Sequence, residues 1–336
     1  MSEKTKLLEV EHLKVKYMTD NGVVHAVNDV SFDLDHGQII GLVGETGAGK
    51  TTIALSVMRL LQTPPARILE GTIRLSGDDV LKKSKKEMQQ IRGKKVSMIF
   101  QDPMTALNPL ETVGDQVEEV ILLHEKLSRA EARVKAIEIL EMVGIKGERY
   151  QDYPSQFSGG MKQRIVIAIA LACRPELLIA DEPTTALDVT IQNQVLALIR
   201  NLKRELGTAV ILITHDLGVV AEMCEKVAVI YAGEIVEIGP IERIYDHTAH
   251  PYTKGLFKAI PNINATEDRL VPIPGSMHDP RIEKQGCVFA DRCDCKMSAC
   301  NSRKPELVEV GKGHLVRCLH AEASGNKSDQ EEGRII

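Results

Sequence analysis

The chain has no long apolar run, no strongly basic stretch, no Cys-x-x-Cys pair and no internal repeat. Its longest purely apolar run, Ile165 to Cys173, is about half of what a bilayer crossing needs, so no transmembrane helix is expected. The opening MSEKTKLLEV lacks the apolar core of a signal peptide, which predicts a protein that stays in the cytosol. Nucleic acid as the main partner would leave a basic footprint, and the formal net charge is −5. The missing Cys-x-x-Cys pairs remove the usual knuckles of structural zinc.

What is present is ordinary globular material. Hydrophobic residues make up 43% and charged residues 26% of 336 positions, enough for one large domain with an appendage. Cys173 and Cys224 fall in helical apolar patterns and read as small buried hydrophobes, whereas Cys287, Cys293, Cys295, Cys300 and Cys318 crowd the last fifth of the chain. In a reducing cytosol such crowding points to metal ligation before disulfides.

Along the chain, residues 7–44 read as short strands and turns, with a hairpin signal at Asn21-Gly22. IIGLVG is a continuous apolar run of the buried parallel-strand kind, and TTIALSVMRLLQ follows as a helix ended by Pro64-Pro65. KVSMIF and ELLIAD are further buried strands, and the segment between them is helical, with Ser128 as an N-cap. From 189 the pattern is helix, Gly207 as C-cap, strand, helix, strand. This predicts an α/β fold with a mostly parallel sheet, an antiparallel β part and a helical insert at about 103–165. After about 245 the chain turns proline-rich and weakly periodic, so a loop-rich extension is expected over 246–322 and a disordered tail over 323–336.

Gly44-Glu45-Thr46-Gly47-Ala48-Gly49-Lys50-Thr51, with Thr52 adjoining, lies between a predicted strand and a predicted helix. Glycines let successive N–H groups turn inward around a polyphosphate, and the helix adds its positive end. Lys50 should reach the β- and γ-phosphates and Thr51 should ligate Mg²⁺. Asp181 and Glu182 end a buried strand, where an open α/β sheet holds its ligand; Asp181 suits Mg²⁺ and Glu182 can polarise an attacking water. In Phe-Ser-Gly-Gly-Met (157–161), Ser158 reads as an N-cap, and Gly159 and Gly160 bare the N–H groups at a helix start. Alone, that last motif is equally well a simple cap.

Taken in order, these motifs resemble the ATP-binding-cassette family across about residues 7–245. The resemblance makes Gln101 the Gln-loop residue, among the catalytic and Mg²⁺ groups, and His215 the switch histidine at the γ-phosphate. Tyr17 becomes the aromatic that stacks on adenine, 185–188 the D-loop, and Ser158, Gly159 and Gly160 the signature contacts to phosphate. Phe157 and Met161 depart from the usual Leu-Ser-Gly-Gly-Gln, and Met161 puts the polar contacts of the missing amide in question. The family implies a head-to-tail pair with a second, similar ATPase, each signature covering the ATP held by the other chain. It also implies two membrane permeases docked on the helical insert, at the cytoplasmic face of the membrane.

The segment 248–253, Thr-Ala-His-Pro-Tyr-Thr, and Gly286 to Cys293 resemble the extension of the peptide importers of this family, for oligopeptides, dipeptides or, in some members, nickel. That resemblance implies uptake fed by an extracytoplasmic solute-binding protein, and a 4Fe–4S cluster on Cys287, Cys293, Cys300 and Cys318. Two other readings stand beside it: a cassette ATPase of translation or DNA repair, and an ATP-binding regulatory subunit without turnover. The acidic balance counts against the first, and the presence of Glu182 and His215 against the second.

Overall fold

A computed structural model describes residues 6–185, 188–259 and 272–328. Its strands are β1 (Lys6–Thr19), β2 (Gly22–Asp35), β3 (Ile39–Val43), β4 (Ala66–Leu75), β5 (Asp78–Asp79), β6 (Val96–Ile99), β7 (Leu177–Asp181), β8 (Ala209–Ile213), β9 (Lys226–Tyr231), β10 (Glu234–Pro240), β11 (Leu307–Gly311) and β12 (His314–Arg317). The helices are α1 (Lys50–Met58), α2 (Lys85–Ile91), α3 (Pro103–Ala106), α4 (Val113–His124), α5 (Arg129–Met142), α6 (Gly159–Leu171), α7 (Val189–Leu206), α8 (Leu217–Met223), α9 (Ile241–Asp246), α10 (Pro251–Lys258) and α11 (Leu319–Ser328).

The strands form two sheets, one ordered β2-β1-β4-β5 and antiparallel, the other β11-β12-β10-β9-β3-β8-β7-β6. From β9 to β6 the large sheet is parallel throughout. Its central strands β3 and β8 are apolar at every position because both faces are covered. Leu178 and Ala180 of β7 face the core shared with α4, α5 and α6, while Leu177 and Ile179 face the core shared with α1 and the small sheet. Val210 and Leu212 of β8 alternate in the same way with Ala209, Ile211 and Ile213. The parallel arrangement brings the C-terminal ends of β3, β8, β7 and β6 side by side.

Local signals hold where the backbone alone decides. Ser128 caps α5 in a reciprocal box with Glu131, and Gly207 ends α7 at φ 68°. The first helix ends earlier than the prolines predict. Arg59 turns left-handed at φ 50° and sends its guanidinium to the carbonyl oxygens of Val80 and Lys83.

The extension is more ordered than its composition suggests. β11 and β12 pair with each other and β12 with β10, so the C-terminal hairpin prolongs the main sheet. Buried Glu237 fastens it: one oxygen accepts from the Ala249 N–H at 2.8 Å and lies 2.8 Å from His314 Nε2, and the other accepts from the His250 N–H at 3.1 Å. The expected disordered tail is also corrected in part, because α11 runs to Ser328. Its first turns carry Leu319, Ala321 and Glu322, good helix formers, and Glu322 is held by Arg303. The rest of that tail lies outside the described residues.

Candidate nucleotide-binding site

The loop after β3 has the backbone that a phosphate cradle needs. Gly44 (φ 156°) and Gly49 (φ 104°) allow it, and a Cβ there would lie 2.1 Å from the Ile230 carbonyl oxygen and 2.4 Å from that of Ala26. Lys50, almost fully buried, donates to the carbonyl oxygens of Gly44 at 2.7 Å and Glu45 at 3.0 Å. Burial depresses its pKa; the nearby carboxylates of Glu182, Asp181 and Glu45 act in the opposite direction. Thr46, Gly47, Gly49, Lys50, Thr51 and Thr52 line one wall of an open cleft of about 610 Å³. Ala48 is buried beneath it and Glu45 turns away from it. Tyr17 stands at the mouth, its hydroxyl 3.2 Å from that of Thr52.

The opposite wall comes from the ends of β6, β7 and β8. Asp181 is buried and hydrogen-bonded to Thr51, and its pKa is raised by burial, with Glu182 adding to the rise. Glu182 adopts φ 47°, a strained backbone for a non-glycine residue, and three elements converge on its carboxylate. Gln101 Nε2 donates at 2.9 Å, Thr185 Oγ1 donates at 2.9 Å, and His215 Nδ1 lies 3.4 Å away. Burial pushes this carboxyl up, but the bonds from Thr185, His215 and Gln101 outweigh it and hold the pKa below the ordinary value. Gln101, Glu182 and His215 thus face Lys50 and Thr51 across one cleft.

Ser158, Gly159 and Gly160 sit elsewhere, at the start of α6, and are not among the residues lining this cleft. Ser158 Oγ accepts from the Met161 N–H at 3.4 Å, and Gly159 faces open space. The two departures from the usual signature are served from within the chain. Arg149 stacks 3.9 Å from the Phe157 ring centroid and points Nη1 at Met161 Sδ, 3.8 Å away. In the D-loop segment, Thr185 holds Glu182 and Asp188 caps α7; Ala186 and Leu187 lie outside the described residues.

Sequence reasoning missed the contribution of the extension. Pro280 lines the same cleft, and a Cβ on Gly47 would lie 3.2 Å from Met277 Cε. Tyr252 Oη accepts from the Glu45 N–H at 3.0 Å, and Arg292 grips the Glu45 carboxylate with both contacts at 3.0 Å. The His-Pro-Tyr and Asp-Arg-Cys strings held the signal, but their partner lies some two hundred residues upstream.

Among the described residues no group of three or more His, Cys, Asp or Glu side chains is arranged to hold a metal ion, and all seven cysteines are free. Cys287, Cys293, Cys300 and Cys318 share one region, where the Cys287 N–H donates to the Cys300 carbonyl at 2.8 Å. Cys287 and Cys300 pack with Ala290 and Leu319, Cys293 packs against the cluster of Val288 and Phe289, and burial pushes the Cys287 thiol up to about 11. Cys295 is exposed, beside Cys293.

Comparison with known proteins agrees with the cleft. The sequence profile of the ABC transporter family matches residues 27–185, and that of the oligopeptide/dipeptide transporter C-terminal region matches 236–300. The dipeptide transport ATP-binding protein DppD of Bacillus subtilis is 47% identical over 333 residues, covering 96% of this chain and 99% of that protein. The oligopeptide transport ATP-binding protein OppD of the same organism is 46% identical, covering 95% and 90%. Among solved structures, the dimeric post-hydrolysis state of an ATP-binding cassette bound to ADP and phosphate superposes with a TM-score of 0.63 at 27% identity, covering 70% of this chain and 98% of that one. With its cleft, its fold and its relatives in agreement, the chain belongs to the ATP-binding-cassette family of transporter ATPases.

Proposed function

We propose that this chain is the ATP-hydrolysing subunit of an importer that takes up peptides across the cell membrane. The observation that carries the reading is the convergence of Gln101, Thr185 and His215 on Glu182, opposite Lys50 in one cleft. Lys50 and the N–H groups at the start of α1 bind the triphosphate, Tyr17 stacks on the base, and Glu182 polarises the attacking water. His215 holds Glu182 and reaches toward the γ-phosphate. Thr51, Asp181 and Gln101 would hold Mg²⁺: Thr51 and Asp181 already share a hydrogen bond, and all three offer the oxygen donors that a hard cation prefers. When bound, that ion neutralises charge on the β- and γ-phosphate oxygens.

Ser158, Gly159 and Gly160 lie away from the chain's own cleft, which suits contact with ATP held by a second, homologous ATPase in a head-to-tail pair. A groove beside Gln101 suits two membrane permeases. It is lined in part by Phe100, 45% exposed, just after β6, and by Leu123, 66% exposed, on the helical insert. No described helix is long and apolar enough to cross a membrane, so the chain would work bound to those permeases at the cytoplasmic face. A solute-binding protein outside would deliver the peptide. A 4Fe–4S cluster on Cys287, Cys293, Cys300 and Cys318 rests on the resemblance of the extension to that of the peptide importers and on the shared region of the four thiols. Iron and sulfide near four atoms each per chain, lost in Cys287→Ser, would support it.

The test of the main reading is transport. The assembled importer in vesicles should hydrolyse ATP faster when its binding protein carries a short peptide, and should accumulate that peptide inside. Stimulation by nickel and not by peptide would redirect the solute assignment, and turnover indifferent to any solute would end the importer reading.

A further inference from the structure

The site that binds triphosphate carries an excess of negative charge of its own. Lys50 lies within electrostatic reach of Glu182, Asp181 and Glu45, and Glu45 is itself part of the phosphate loop. The Glu45 carbonyl accepts from both Lys50 Nζ and the Ala48 N–H, so any movement of Glu45 moves the cradle. Its side chain is turned out of the cleft and met by Arg292, from the far end of the chain, through Nη1 at 3.0 Å to each oxygen.

The Arg292 head is built into place. Its side chain is 6% exposed, Nε donates to the Pro274 carbonyl at 2.8 Å, Nη2 donates to the Ile273 carbonyl at 3.2 Å, and the group lies over the Tyr231 ring. Tyr252 fixes the Glu45 backbone from the same side. An exposed ion pair would contribute little, but this cation is fixed by two carbonyls and almost buried, so the pair is less screened than one in open solvent.

We propose that Arg292 is a positioning residue of the nucleotide site, cancelling the Glu45 charge and holding its carboxylate away from the phosphates, so that the C-terminal extension sets nucleotide affinity. The inference rests on the ATPase reading above. It gives the extension a role in the ATP site that needs neither a metal nor the transported solute.

The test measures binding of a non-hydrolysable ATP analogue with an imido β–γ bridge, with Mg²⁺, to the full chain and four variants, each with its melting temperature. Arg292→Gln should weaken binding about ten- to twentyfold, the effect of one unit charge over roughly 10 Å at an effective dielectric near 20. Glu45→Gln should bind no more weakly than the parent, and Glu45→Gln with Arg292→Gln should return to within about threefold of it, because the repelling charge is gone. Arg292→Lys keeps the charge but loses the contacts of Nε and Nη2, so it should bind more tightly than Arg292→Gln and less tightly than the parent. If Glu45→Gln weakened binding as much as Arg292→Gln, or the double variant showed no recovery, the bridge would be a packing contact and the proposal would fail. Affinity losses that merely followed falling melting temperatures would overturn it too. A parent chain that bound no nucleotide would remove the ATPase reading and this inference together.

Discussion

Gln101 Nε2 donates to Glu182 Oε2 at 2.9 Å, linking the end of β6, where the helical insert begins, to the carboxylate at the end of β7. The contact joins the groove beside Phe100 to the hydrolytic site through one side chain. A displacement of the insert by a docked partner would therefore be felt directly at Glu182.

That bond also helps to hold the Glu182 carboxyl below its ordinary pKa. Its removal raises the pKa, so the ionised base is lost at a higher pH on acidification. In Gln101→Ala the acid limb of the pH–rate profile should move to higher pH and the turnover at neutral pH should fall about tenfold. An unmoved acid limb would mean that Gln101 does not govern the charge of Glu182.

Gly44 is a steric requirement. A Cβ at this position would lie 2.1 Å from the Ile230 carbonyl oxygen, on a strand that cannot retreat without breaking the main sheet. Gly44→Ala should cost about 3 kcal/mol or more, read as a fall in the urea midpoint. Gly159→Ala is the control, since its Cβ would meet nothing within 4 Å.

His250 ties the extension to pH. Its Nδ1 accepts from the Tyr252 N–H at 3.1 Å at the start of α10, which requires a neutral ring. Burial lowers its pKa to about 4; the Glu237 carboxylate works against that shift and Lys254 adds to it. The unfolded chain takes up the proton near 6.5, so stability present above about pH 6.5 is lost as pH falls toward 4, to a total of roughly 3 kcal/mol. His250→Asn can still cap the helix but does not titrate, and should flatten this part of the urea-midpoint profile between pH 7 and 5. An equal acid loss in the variant would assign the effect to another group.

The parts of the site visible in the sequence are those that a short segment specifies by itself. Gly44 to Thr51 needs only a strand before it and a helix after it, and Asp181 and Glu182 need only the apolar strand that carries them. The caps at Ser128 and Gly207 are local in the same sense. What the sequence hid depends on long-range contacts. Arg292 and Glu45 are 247 positions apart, and the pairing of β12 with β10 joins segments separated by the whole extension. The early end of α1 at Arg59 follows from two carbonyls, on Val80 and Lys83, that no pattern within the helix announces. The cysteines are legible only as crowding: their spacing brings four thiols to one region, and how the sulfurs stand to one another depends on the fold around them.

In the proposed function Glu182 drives hydrolysis while Lys50 and the loop around it bind the nucleotide. The most direct test is single-turnover hydrolysis by the assembled importer carrying Glu182→Gln, with nucleotide binding measured on the same sample. ATP should be bound at parental affinity or tighter in a stable ATP-loaded pair of cassettes, with hydrolysis reduced about 10²- to 10⁴-fold. Hydrolysis at the parental rate would contradict it and move the base to another residue.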